Sequence, residues 1–196
     1  MNSPGGFMKV SILLICSVFL LLTVSSVQAG EAIFYAGSQK PGKLTFDEAS
    51  EIPGDLLEGG YGSTFGVRFS AGRVIGFEQN LSFSPRFARS GVHAFQSDSN
   101  LLLQAPGKIV PYVTAGLGFI VTWGQDEPDE LDPVKIANFA FSMGKEFTFN
   151  YGGGIKLRRL LGPMGFNVDV RGYTLPSARD GSLNFIQMSL GAVFTW

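Results

Sequence analysis

The sequence predicts an all-β fold: an eight-stranded antiparallel up-and-down transmembrane β-barrel, preceded by a cleaved signal peptide. Three observations predict it. Segment after segment alternates apolar with small or polar residues at a period of two, and several of these runs reach ten residues or more. A tilted membrane strand needs roughly 9 to 11 residues, whereas soluble strands have a mode of about 5 to 6. Charged residues make up only 16% of the chain, with Gly at 26 and Phe at 18 positions, against roughly 25% charged in an average soluble domain. The chain also opens on a segment built for export.

That segment places Lys9 before an apolar run from Val10 to Val24, and Val27-Gln28-Ala29 supplies compact residues where a signal peptidase reads. Cleavage is expected between Ala29 and Gly30. The competing reading, an anchoring helix, falls short of the roughly 20 apolar residues a span requires. Met8, directly before Lys9, is an alternative start to Met1. Lipidation of Cys16 is rejected, because Ile15 stands where a small residue is expected. Residues 1–29 are therefore read as signal peptide and 30–196 as one barrel domain. The mature part has no cysteine and 14 basic against 16 acidic residues. There is no basic excess to recruit nucleic acid.

Glu31 to Ser38 is an apolar, aromatic first strand, followed by a polar connection at 39–57. In the second strand Tyr61, Ser63, Phe65, Val67 and Phe69 alternate with Gly62, Thr64, Gly66, Arg68 and Ser70. A short turn at 71–73 leads to the third, where Ile75, Phe77, Gln79, Leu81 and Phe83 oppose Gly76, Glu78, Asn80, Ser82 and Ser84. The fourth, Val92 to Gln104, has weak periodicity and is placed chiefly because its neighbours require it. After the turn at 106–108, residues 109–123 form a long fifth strand, with Pro111 near its start where a missing donor is tolerated. Five acids and two prolines mark the connection at 124–144, although ANFAFSMG within it is apolar enough to prolong the strand. The sixth strand is EFTFNYGGGIKLR, 159–165 holds a turn, GFNVDVRGYT is the seventh strand, and 175–182 is a long connection.

The eighth strand ends the sequence. Ile186, Met188, Leu190, Ala192, Phe194 and Trp196 share one row; Phe185, Gln187, Ser189, Gly191, Val193 and Thr195 share the other. A soluble barrel or β-sandwich would put its apolar row inward and a charged row in water. Here the polar rows are rich in glycine, at Gly62, Gly66, Gly76, Gly116, Gly118, Gly152 and Gly154. Glycine suits a crowded interior, so the apolar rows face lipid. The spacing of Ser189, Gly191, Phe194 and Trp196 resembles the C-terminal assembly signal of bacterial outer-membrane barrels. PYVTAGLGFI resembles the proline-tyrosine start and glycine-rich strand of the small outer-membrane β-barrel domain family, related to the barrels of outer-membrane proteins A and X. NYGGGIKLRRLLGPMGFNVDVRGY is similar to its glycine-rich strand, turn and aspartate-arginine strand. The resemblance implies an outer-membrane location in a Gram-negative-type envelope, and contacts with outer-membrane lipid, lipopolysaccharide, barrel-assembly machinery and periplasmic chaperones. No peptidoglycan-binding domain is expected after Trp196, and the barrel is expected to be a monomer.

Charged residues on the inward rows predict a structural network of Arg68, Glu78, Asp169 and Arg171, with Arg68 and Glu78 within cross-strand reach and Lys156 and Arg158 on the adjoining strand. A gated ion path is the alternative use of the same charges; eight strands leave an interior that side chains just fill. Catalysis would need a nucleophile, a base and an orienting carboxylate. His93 is the one histidine, with Ser90, Ser97, Ser99 and Asp98 nearby. Its row partners Gly91 and Phe95 offer no chemistry, and no catalytic residue is assigned. The acidic run Asp126, Glu127, Asp129, Glu130 and Asp132 lacks the glycine and terminal glutamate of a calcium loop. No metal or other cofactor is expected. A structural, adhesive or surface-recognition role comes first, a porin-like channel for small solutes or hydrophobic molecules second, and a lipid-modifying enzyme third.

Overall fold

The computed structural model describes residues 30–46, 50–52, 62–87, 92–124, 144–178 and 181–196. They form β1 (Gly30–Phe46), β2 (Ser50–Ile52), β3 (Gly62–Gly72), β4 (Ile75–Arg86), β5 (His93–Gln104), β6 (Ile109–Trp123), β7 (Gly144–Leu161), β8 (Met164–Ala178) and β9 (Gly181–Thr195). All pairings are antiparallel, consecutive strands from β3 to β9 are neighbours, and β1 pairs with both β3 and β9. β1 and β9 meet from Glu31↔Thr195 to Phe46↔Gly181. The sheet thus closes into an eight-stranded barrel with no free edge along that seam. The short strand β2 is additional to these eight and, among the described residues, pairs with the far end of β1, Leu44↔Ile52 through Phe46↔Ser50.

Alternating side chains divide the wall. On β9, Ile186, Met188 and Leu190 are exposed, as is Trp196 just after it, whereas Phe185, Gln187, Ser189 and Val193 are buried. The same division runs round the ring: Phe34, Phe65, Leu101, Val113, Tyr151 and Phe166 point outward, and Tyr35, Arg68, Asn80, Tyr112, Asn150 and Asp169 inward. β5 is where the pattern blurs, for a specific reason. Its outward row carries Ser97 and Ser99, and its inward row carries buried Leu102. The outward polar groups are satisfied within the wall: Gln79 of β4 is fully buried, its Nε2 donates to Ser97 Oγ at 3.0 Å, and its Oε1 accepts from Ser99 Oγ at 2.7 Å.

Several connections differ from the sequence reading. The polar 39–57 stretch is not wholly a connection, because β1 runs on to Phe46 and pairs with both β9 and β2. A register shift between Pro41 and Leu44 absorbs the proline that lacks a donor. The turn expected at 159–165 shrinks to two residues between Leu161 and Met164, where Gly162 takes φ 64°. The connection expected at 175–182 is short as well, since β8 reaches Ala178 and β9 starts at Gly181. β3 continues to Gly72, which moves the 71–73 turn to residues 73–74. The signal segment with Ala29, the acidic run at 126–132 and most of ANFAFSMG lie outside the described residues.

The lumen is filled in two unlike layers. Phe87, Val92, Ala94, Ile120, Tyr173, Leu175, Leu183 and Phe185 form one buried apolar cluster at the end where β4 leads to β5 and β8 to β9. Tyr173 stacks on Phe185 with centroids 4.7 Å apart, and Phe87 meets Phe185 edge-on at 5.3 Å. Below this cap the inward rows turn polar.

Candidate functional site

Strand pleating aims Arg68 (β3), Glu78 (β4), and Asp169 and Arg171 (β8) into one place at the middle of the barrel. All four are buried. Arg171 bridges both carboxylates: its Nη1 lies 2.7 Å from Glu78 Oε1 and its Nε 2.9 Å from Asp169 Oδ1. Arg68 reaches Asp169 Oδ1 at 3.0 Å, donates to Ser189 Oγ at 2.9 Å, and lies 4.0 Å above the ring of Tyr35. Tyr112 donates to Asp169 Oδ2, and Asn167 Nδ2 donates to Tyr112 Oη at 2.9 Å. Charge is matched among the four, and both oxygens of Asp169 and one of Glu78 have partners, which offsets the cost of burying ions.

The partners are not those expected from neighbouring strands. Arg68 stands in register with Asn80, and Glu78 with Ser70; the ion pairs run across the lumen, Arg68 to Asp169 and Glu78 to Arg171. Next to them Asp98 is fully buried and held by amides and a hydroxyl. Asn80 donates at 2.8 Å, Gln96 at 3.0 Å and Thr148 at 3.3 Å. Gly118, opposite Asp98 in register, lacks the Cβ that would otherwise fall on the carboxylate oxygen. A third group lies at the short-turn end. Glu31 accepts from Lys156 Nζ at 2.8 Å, from Ser70 Oγ at 3.2 Å, and from Arg158 Nε. Gln104 Oε1 binds both cations, at 3.2 and 3.1 Å.

Glu31 and Tyr112 have no part in the charge network expected from the sequence, and Asp98 enters there only as a carboxylate near His93. Glu31 sits in a run read only as apolar. The signal that could have found it was the imbalance on the opposite wall, where Lys156 and Arg158 share an inward row whose acid, Glu146, stands ten or more positions away toward the other end of the strand.

The residues weighed for catalysis are separated by pleating. Asp98 faces the lumen, while Ser97 and Ser99 lie on the outward row, and Ser90 is outside the described residues. His93 is on that outward row too, with its ring 6.4 Å from Phe83 and 6.0 Å from Trp123 in an aromatic cluster. Among the described residues, no group of three or more His, Cys, Asp or Glu side chains is placed to hold a metal. Of the terminal residues, Ser189 and Gly191 lie on the inward row. Phe194 packs edge-on against Phe34 at 5.8 Å. Trp196 donates its backbone N–H to Gly30 O at 3.2 Å and lays its indole where a Gly30 Cβ would stand.

No family model and no curated sequence matches the chain. Solved structures do resemble it. Neisserial surface protein A superposes with a TM-score of 0.59 at 8% identity, covering 86% of this chain and 99% of that one. The N-terminal β-barrel domain of Pseudomonas aeruginosa OprF does so with 0.53 at 12% identity, covering 85% and 97%. The fold is that of the small eight-stranded outer-membrane barrels.

Proposed function

We propose that this chain is an integral outer-membrane β-barrel with a closed lumen, non-catalytic, whose long connections carry a structural, adhesive or surface-recognition role. The observation that carries this reading is the pairing of an apolar exposed wall with a filled interior. Outward side chains such as Leu101, Leu190 and Phe166 are large, apolar and exposed on every side of the ring, an arrangement that hydrocarbon favours and water penalises. Inside, the ion-paired layer and the apolar cap above it occupy the section that a solute would have to cross. Export by a signal peptide, insertion by barrel-assembly machinery and monomeric embedding among lipid and lipopolysaccharide belong to the same proposal.

Planar-bilayer recording of the purified protein tests the lumen, and detergent dependence tests the wall. The expected results are heat-modifiable gel migration after detergent extraction and no large, steady conductance. A protein that stays soluble and monomeric without detergent would refute the membrane assignment. Steady conductance in the nanosiemens range would instead favour the channel reading, which draws its support from the polar character of the lower lumen.

A further inference from the structure

At the short-turn end the barrel opens into a cavity of about 590 Å³ lined by Arg73, Lys108, Arg158, Arg159, Glu31 and Trp196, among others. That volume is in the range of small-molecule sites. Glu31 is already shared by Ser70, Lys156 and Arg158. Arg73, Lys108 and Arg159 have no ion pair among the described residues, so the mouth carries at least three cations without counter-charge. All three are exposed, so water screens the like charge gathered there, and an anion entering the mouth would meet several cations at once.

The backbone shows that this crowding is built in. Arg158 and Arg159 are consecutive in β7, so strict alternation would send one inward and the other onto the outer wall. Both line the cavity. Arg159 has a φ of 54°, a left-handed conformation unusual for a residue with a Cβ. It lies where the β7–β8 register slips between Leu157 and Leu161, and a bulge at a barrel rim re-aims side chains in this way. Gly165 opposite makes the slip possible, because a Cβ there would run into the Leu157 carbonyl. Arg158 N–H is in turn fixed to Lys108 O at 2.8 Å, which ties the bulge to the neighbouring turn.

We infer that this mouth is an anion site for phosphate groups, with Arg73, Lys108 and Arg159 as its ligating cations and Arg158 as its floor. Planar guanidinium forks match the paired oxygens of phosphate. A phosphate monoester brings about two charges and three terminal acceptor oxygens to these cations, and the phosphodiester of a phospholipid headgroup brings one charge and two such oxygens. The phosphate has two possible sources, a soluble phosphate ester or the headgroup of an anionic phospholipid. The inference goes beyond the proposed role of the long connections, and its soluble arm does not depend on the membrane assignment.

Calorimetric titration of the folded full chain in zwitterionic detergent with sodium pyrophosphate tests it. Arg159→Gly, which suits the left-handed backbone, and the pair Arg73→Gln/Lys108→Gln should each weaken binding about tenfold, while leaving the urea unfolding midpoint unchanged. Affinity should fall steeply as salt rises. Absence of pyrophosphate binding at millimolar concentration, or equal binding by parent and variants, would overturn the inference. Repeating the titration in nanodiscs separates the sources. Weaker pyrophosphate binding with phosphatidylglycerol than with phosphatidylcholine identifies a lipid headgroup as occupant; equal binding identifies a soluble phosphate.

Discussion

Replacing Arg171 by Met probes the centre of the barrel. The substitution keeps bulk and removes one buried cation, and its cost is set by what the two carboxylates have left. Asp169 retains Arg68 at 3.0 Å and the Tyr112 hydroxyl. Glu78 loses the one ion pair it makes among the described residues: its Oε1 keeps Asn100 Nδ2 at 3.0 Å, and its Oε2 has no hydrogen-bond partner. Removing one member of a buried pair costs about 3 to 5 kcal/mol. Because Asp169 is still compensated, the expected loss is at the lower end, about 3 kcal/mol. A second change, Glu78→Gln, removes the orphaned charge while keeping an acceptor for Asn100. The double variant should recover about 2 kcal/mol, within the coupling seen for residues in contact. Urea unfolding in detergent micelles, followed by the fluorescence of Trp123 and Trp196, reads this directly. With a slope of about 2 kcal/mol/M the single variant's midpoint falls by about 1.5 M. If Arg171→Met unfolds within about 1 kcal/mol of the parent, or if the two changes simply add, Arg171 is not the compensating charge argued here.

Three further outcomes follow from other parts of the wall and lumen. Gly118→Val should destabilise by about 1 to 3 kcal/mol through overpacking, since its Cβ would meet the Asp98 carboxylate and the Ser97 carbonyl; an unchanged urea midpoint would contradict that crowding. Phe185→Ala should cost about 3 to 5 kcal/mol by removing a ring that contacts both Phe87 and Tyr173. Bilayer recordings of the same variant should still show no large conductance, because the ion-paired layer beneath remains. Leu190→Arg, at a position 66% exposed on the outer wall, should cost about 2 to 4 kcal/mol in lipid vesicles if it lies near the membrane midplane. A Leu190→Arg variant as stable in vesicles as the parent would show that the outward row had been misassigned.

Period-two alternation made the wall legible, because pleating is local and each residue's face follows from its neighbour's. β6 could be read this way from end to end, and β3 and β9 along most of their length. β5 resisted because Ser97 and Ser99 occupy an outward row, where their partner is Gln79 on the next strand rather than water. The far half of β1 was hidden by Gln39-Lys40-Pro41-Gly42-Lys43, a turn-like composition that becomes strand only because β9 lies beside it and a register slip accommodates Pro41. Site residues were legible one at a time, as charges on inward rows, but their partners were not. Which inward side chains meet across a barrel depends on strand tilt and stagger, and long arginines reach past their register neighbours. Hence Arg68 found Asp169 rather than Glu78. Arg159 escaped alternation altogether, since a left-handed residue breaks the rule by which faces are assigned.

The ion pairs that cross the lumen also bear on the order in which the molecule is made. Arg171 and Glu78 are 93 positions apart in the chain, and Lys156 and Glu31 are 125 apart. No single hairpin contains both members of either pair, so in the membrane-embedded barrel proposed above a β7–β8 hairpin entering hydrocarbon by itself would carry Lys156 without Glu31. The cost of that falls away only when the strands arrive together and β1 meets β9. Partly assembled forms are thereby penalised, and the interior couples insertion, closure and loss of water into one cooperative event.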